Sequence, residues 1–333
     1  MAEALEFEVA ALKIAITSRS FSKDPILRKE LEDLYPRANI KFNEEGIKLE
    51  GQGLIEFLSD CDRAIIGLEL LGESVLCALP KLKVISKYGV GLDMLDLEAM
   101  SVKGIKLGWK GGVNRRSVSE LVISVAIALL RQIPEAHRES LAGAWHQRKG
   151  RELSGRTFGI IGCGRVGKDL VSLLKAFNCT ILVNDIVDYP RFFADYDIVP
   201  VSLDVLLRES DAVSIHTPLN DTTRNILSAD RLSMMKPDAI LVNAARGGLV
   251  DEKALKLMLQ DGRLAGAAFD VFWNEPPEDH ELLNLPNFFV TPHLGGSSEE
   301  AILAMGRAAI AGLEVHGDPI EITSLPVPDG LEI

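Results

Sequence analysis

Four cysteines, at positions 61, 77, 163 and 179, form no CxxC pair and join no histidine at metal-binding spacing, so no metal site is expected. Free, buried thiols are the expected state. Positive charge is short too: 36 Lys and Arg stand against 48 Asp and Glu, a net charge of −12. A chain of that sign is repelled by nucleic acid and anionic lipid, so neither is an expected partner. Long hydrophobic runs are lacking. The longest nearly pure apolar stretch, 121–130, has ten residues, too few to span a bilayer. The N-terminus, MAEALEFEVA, is acidic and lacks the basic start of a secretory signal, so the cytoplasm is the expected location. Short-period repeats and low-complexity tracts are missing as well.

What is present is ordinary for a soluble globular chain: 47% hydrophobic residues, 25% charged, and 333 residues, enough for about two domains. The first hundred residues alternate apolar runs (13–17, 40–42, 63–66, 82–86) with helical stretches (25–34, 53–58). Such alternation predicts a parallel sheet covered by helices. No GxGxxG occurs there. Residues 117–131, SVSELVISVAIALLR, predict a long helix with SVSE as its capping box. It is apolar nearly all round, which fits a core helix and equally a subunit interface. A basic stretch with Trp145 follows, and a second α/β region runs from about 157 to His293. A helix with an Ala-rich face is expected over 297–315, behind the loop GGSSEE. The tail from 317, with Pro319, Pro326 and Pro328, is not expected to be regular helix.

The β-rich run 157–161, TFGII, leads into Gly162, Gly164 and Gly167 of GCGRVG, then a helical stretch at 168–177. A second run, 180–183, ends at Asp185, 18 positions after Gly167. A bare GxGxxG is weak evidence; with a strand before it, a helix after it and an acid at this distance it predicts a dinucleotide site. Glycines permit a tight turn and close approach of a pyrophosphate to the helix N-terminus. Asp185 would accept bonds from the adenosine ribose hydroxyls and repel a 2′-phosphate, favouring NAD over NADP. Cys163 lies inside this loop, so its alkylation is expected to block the cofactor.

Three polar residues close three later apolar runs: Arg246 after 239–242, Glu275 after 267–271 and His293 after 288–290. Ligands of open parallel sheets bind at the carboxyl ends of the strands. Arginine grips a carboxylate in bidentate fashion. Histidine exchanges a proton near neutral pH, and glutamate orients an imidazole and favours its charged form.

KYGVGLDMLD (87–96), the glycine loop, HTPLNDTTRNIL (216–227), VNAARGGLVDEKAL (242–255), AAFDVFWNEPP (267–277) and TPHLGGSS (291–298) follow one another in an order specific to one family. The chain resembles the D-isomer-specific 2-hydroxyacid dehydrogenases, in their phosphoglycerate dehydrogenase-like branch, over nearly its whole length. That resemblance implies an α/β chain of two parallel-sheet lobes, with a Rossmann dinucleotide-binding domain (116–297) inserted in a flavodoxin-like substrate domain (1–115 plus 298–333). It implies a homodimer that uses NAD to oxidise a small anionic 2-hydroxy acid reversibly to a 2-oxo acid. Arg246 then binds the substrate carboxylate, His293 is the general acid–base, and Glu275 is its partner. Cofactor contacts are implied at Gly162, Gly164, Arg165, Val166, Gly167, Asp185, Ala244 and Gly295. They are also implied at His216, Thr217 and Pro218 beside the adenosine, and at Asp270 beside the nicotinamide. Lys87, Tyr88, Gly89, Val90 and Gly91 are implied as a substrate loop, with the amides of Val90 and Gly91 on the carboxylate.

Substrate identity rests on cations. Lys87, Lys110, Arg115 and Arg116 form a local excess in an acidic chain, which predicts a second anionic group on the substrate, such as the phosphate of 3-phosphoglycerate. Against this, Met94 stands where phosphoglycerate dehydrogenases carry Asn, and Trp109, Lys110 and Arg116 depart from the family pattern. Glyoxylate, hydroxypyruvate or a sugar-derived acid is the alternative substrate, and a catalytically idle NAD-sensing module the alternative function. The sequence ends without room for the regulatory domains that some phosphoglycerate dehydrogenases carry, so feedback control through one is not expected.

Overall fold

Ile14 and Ile16 face one apolar layer while Ala15 between them faces another, and Ile65 alternates in the same way with Ala64 and Ile66. Two-sided burial of this kind is the mark of an interior parallel strand. The computed structural model describes residues 11–331, which divide into two units: the chain up to Asn114 with Glu299–Pro326, and Arg115–Ser298 with the residues from Val327 on.

In the first unit β1 (Lys13–Ile16), β2 (Asn39–Phe42), β3 (Arg63–Ile66), β4 (Val84–Lys87) and β5 (Lys106–Gly108) form one parallel sheet in the order β2-β1-β3-β4-β5. This is the flavodoxin-like order. The helix Glu299–Gly312 packs on β4 and β5 through small residues. Ser86 Oγ donates to the Ala309 carbonyl at 2.6 Å, and a methyl group on Gly108 would stand 2.1 Å from the Gly312 carbonyl oxygen. Only glycine at 108 lets helix and sheet approach so closely.

In the second unit β6 (Thr157–Ile161), β7 (Thr180–Asn184), β8 (Val199–Pro200), β9 (Ala212–Ile215), β10 (Ile240–Asn243), β11 (Gly266–Phe269) and β12 (Phe288–Val290) pair in parallel in the order β12-β11-β10-β9-β6-β7-β8. Counted from β6, this is the doubly wound dinucleotide-binding order with one strand added, and it reverses between β6 and β9. Phe158, Ile160, Val183 and Val242 meet the helix Arg115–Leu130 on one face; Ile161, Val213, Ile215 and Leu241 form the core of the other.

Three expectations need correction. The helix expected from Ser117 starts at Arg115, so Ser117 lies inside it and SVSE caps nothing. The tail is not devoid of helix: Pro319–Thr323 forms a short one, because proline at a first position needs no N–H and the Asp318 side chain caps Ile320 N. Finally, residues 327–331 go with the second unit, not with 299–326. Val327 and Leu331 pack on its core, the Pro328 carbonyl accepts from Lys168 Nζ, and Asp329 caps the helix Pro190–Asp195 at Arg191 N (3.1 Å) and Phe192 N (3.0 Å). Among the described residues no single helix is long and apolar enough to cross a membrane.

Candidate active site

Gly162 leaves β6 at φ 94°, and a side chain there would stand 2.9 Å from the His216 backbone. A Cβ on Gly167 would meet the Gly162 carbonyl oxygen at 2.2 Å, so the helix Arg165–Leu174 lies directly on the turn. Gly164 is its N-cap, with no side-chain cap, and a Cβ there would meet nothing within 4 Å. The loop thus leaves open backbone at a helix N-terminus, which is what a pyrophosphate requires. Arg165 and Val166 open the helix, both half-buried. Asp185 stands beside the loop: its carboxylate accepts from Cys163 N and, at 2.8 Å, from Val187 N. Asp185→Ala should narrow the preference for NAD over NADP by about tenfold, since a carboxylate–phosphate repulsion is lost. An unchanged ratio of kcat/KM values would place the ribose acid elsewhere.

Cys163 is fully buried, and burial pushes its thiol up to about 12. A buried, protonated thiol is a poor nucleophile, which works against its alkylation.

Across the switch point, His216 follows β9. Its backbone N–H donates to Ile161 O at 2.7 Å and its Nε2 lies 2.8 Å from Ser214 Oγ. Burial lowers this imidazole to about 4, so it is neutral near pH 7 and poorly placed to exchange protons. Thr217 Oγ1 is buried with no hydrogen-bond partner among the described residues. A buried hydroxyl without a partner is costly, and a bound ligand group would relieve it. Pro218 is exposed next to it. Glycine turn, open helix end, acid and unpaired hydroxyl together fit a dinucleotide.

At the end of β10, Asn243 is fully buried. Its Nδ2 donates to the Arg246 carbonyl at 2.8 Å and its Oδ1 accepts from Ala245 N at 3.2 Å. The turn from Ala244 to Arg246 is therefore stapled by one amide, and Arg246 Nη1 donates to the Ala245 carbonyl at 2.6 Å. Sequence reasoning missed Asn243. Its signal was there: an amide closing the buried run ILVN has to spend its donors and acceptor locally. Next to Arg246, a Cβ on Gly247 would stand 2.0 Å from both the carbonyl carbon and oxygen of Phe272. The Arg246 turn thus rests on the turn that carries Glu275.

Glu275 Oε1 accepts from Phe272 N at 3.1 Å, and Oε2 lies 2.8 Å from His293 Nδ1. The ring's Nδ1 faces the carboxylate, which leaves Nε2 as its working nitrogen. His293 itself sits at φ 55°, a left-handed backbone rare outside glycine. That turn is held by its N–H to Asp270 O (2.9 Å) and Thr291 O (3.1 Å). Asp270, expected against the nicotinamide, is buried, and its carboxylate accepts inside the protein from Thr291 Oγ1 (2.6 Å), Leu294 N (2.6 Å) and Gly295 N (2.8 Å). Its work in this structure is to build the turn that presents His293. A Cβ on Gly295 would lie 3.1 Å from that carboxylate.

Three of the four expected cations meet groups of the protein itself. Lys87 is buried, 3% exposed, and its ammonium donates to the carbonyls of Gly67 (2.6 Å) and Tyr88 (3.0 Å). As the last residue of an interior strand it points into its own unit. Tyr88 is core as well, edge-on to Phe21 at 5.5 Å. Arg116 grips the buried Asp169 with two bonds, 2.9 and 3.0 Å, and Arg115 Nε lies 4.0 Å from the same carboxylate. These arginines neutralise a charge on the glycine-loop helix; stripping a buried carboxylate of its partners costs about 3–5 kcal/mol. Lys110 is exposed. Gly89, Val90 and Gly91 remain half-exposed beyond β4, where Trp109 Nε1 donates to Val90 O at 2.9 Å.

Comparison with known proteins places this arrangement. Residues 123–295 match the model of the D-isomer specific 2-hydroxyacid dehydrogenase NAD binding domain. The chain is 39% identical over 264 residues to D-3-phosphoglycerate dehydrogenase of Methanocaldococcus jannaschii, covering 78% of this chain and 50% of that one. It is 34% identical over 289 residues to hydroxypyruvate reductase of Thermotoga maritima, covering 85% and 93%. The chain therefore spans about half the length of the phosphoglycerate dehydrogenases it matches and nearly all of the reductase. Among solved structures, a glyoxylate reductase from Paecilomyes thermophila superposes with a TM-score of 0.82 at 26% identity, covering 92% of this chain and 96% of that one.

Proposed function

The chain belongs to the D-isomer specific 2-hydroxyacid dehydrogenase family, and from that premise we propose that it oxidises a small D-2-hydroxy acid reversibly to the 2-oxo acid with NAD. The observation that carries the reading is the His293–Glu275 pair, set 2.8 Å apart on turns fixed by Asp270 and by the Gly247 contact. When bound, NAD supplies a nicotinamide that accepts or returns a hydride. The protein's own part is proton transfer and orientation. In oxidation, His293 Nε2 takes the hydroxyl proton; in reduction it returns a proton to the carbonyl oxygen. Glu275 holds the ring so that Nε2 faces the substrate. Arg246 binds the substrate carboxylate and polarises the reacting carbonyl. Assembly as a homodimer belongs to the same reading, supported by the exposed Leu141 and Trp145, four positions apart in sequence.

The acid carries no phosphate in this proposal. Lys87 donates to two carbonyls of its own unit, and Arg115 and Arg116 answer Asp169, so three of the four cations that argued for a phosphate meet groups of the protein itself, and Lys110 alone is exposed. The test is NADH consumption against glyoxylate, hydroxypyruvate, pyruvate and phosphohydroxypyruvate, with NADPH as control. Glyoxylate or hydroxypyruvate should turn over fastest. Phosphohydroxypyruvate in first place would overturn the inference about phosphate. No turnover of any acid, with NADH still bound, would replace the dehydrogenase by an idle NAD-sensing module.

A further inference from the structure

Where β4 ends, the N–H groups of Gly89, Val90 and Gly91 find no acceptor among the described residues. Two carbonyls in the same stretch are tied down. Tyr88 O accepts from Lys87 Nζ at 3.0 Å, and Val90 O accepts from Trp109 Nε1 at 2.9 Å. A trans peptide is planar, with its N–H antiparallel to its C=O. A donor that holds the Tyr88 carbonyl therefore sets the direction of the Gly89 N–H, and one that holds the Val90 carbonyl sets that of the Gly91 N–H. Both amides turn away from Lys87 and Trp109, and successive outward N–H groups make a seat for an anion. Gly89 completes the device. Its φ of 121° admits no ordinary side chain, and a Cβ would stand 3.0 Å from Lys87 Nζ.

We propose that Lys87 and Trp109 are positioning residues that aim the Gly89 and Gly91 amides at the substrate carboxylate. The idea rests on the dehydrogenase reading above. Neither side chain touches substrate. Lys87 is tied a second time, to Gly67 O at 2.6 Å, so its ammonium is anchored and not free to follow a ligand. Trp109 stands at a position where the sequence departs from its family.

Trp109→Phe keeps a ring and removes the N–H. The expected result is a KM for the best 2-oxo acid raised about tenfold, the scale of one lost hydrogen bond to a preorganised loop. Turnover number, NADH dissociation constant and melting temperature should stay near wild type. Lys87→Met should act in the same direction. A crystal structure of Trp109→Phe should show the Val90–Gly91 peptide rotated. An unchanged KM with an unmoved peptide overturns the proposal. So does a joint fall of turnover, NADH affinity and melting temperature, which would mark Trp109 as packing alone. Should Lys87→Met fail to fold, the tryptophan variant still decides. If the wild type turns over no 2-oxo acid while binding NADH, the dehydrogenase reading has failed, and the carboxylate seat fails with it; an active wild type with an insensitive Trp109→Phe refutes the positioning role alone.

Discussion

Replacing His293 with alanine should lower kcat about a thousandfold while NADH binds as before, the middle of the range that a positioned general acid–base contributes. The geometry singles this histidine out. His216 also ends a strand of the same sheet, yet its imidazole is held near 4 by burial and has Ser214 as its neighbour. His293 is half exposed and has a carboxylate 2.8 Å from Nδ1. Stopped-flow turnover and NADH fluorescence titration check the prediction together. Lost cofactor affinity with retained turnover would sink the role assigned to His293. Glu275→Gln, which keeps the shape of the partner and removes its charge, should fall between wild type and the alanine variant.

Gly247→Ala should cost at least about a hundredfold in kcat/KM although position 247 has no chemistry of its own. The added methyl carbon would lie 2.0 Å from the Phe272 carbonyl, and backbone on both sides leaves no soft atom to yield. One turn has to retreat, by about 1 Å, and a misplacement of that size is enough for a loss of two orders of magnitude. Arg246 rides on one of these turns and Glu275 on the other, so the substitution separates the carboxylate grip from the acid–base pair. Wild-type kinetics in this variant would show that the two turns move independently. Its melting temperature should fall as well, since the contact lies at the edge of a core built from Phe269, Phe272 and Phe288.

Much of this was legible in the chain itself. TFGII, PILRKELEDL, RAII and FFV appear as elements with the expected limits, because two-sided apolar runs and proline at a helix start leave little choice. The glycine loop was legible because Gly162 and Gly167 each answer a steric demand that no other residue meets, while Gly164 leaves the helix N-terminus open. Side-chain direction was not legible. Lys87 adjoins a loop in sequence, yet the last residue of an interior strand points into its own layer. Arg116 looked like a free cation because its partner, Asp169, lies 53 positions away. The bonds that Asp270 accepts from Thr291, Leu294 and Gly295 were not legible either, since nothing in the letters shows which groups a buried carboxylate meets. SVSE failed for a local reason: the helix had already begun at Arg115.

The interleaving of the two units along the chain also has a consequence in time. The sheet that carries β4 gains its covering helix, Glu299–Gly312, only after Arg115–Ser298 of the second unit has been synthesised. The second unit in turn receives Val327, Leu331 and the Asp329 cap from still later residues. During synthesis the face of the first sheet beneath Glu299–Gly312 is therefore only partly covered, by Phe21, Leu27 and Leu31, while the intervening 115–298 emerges.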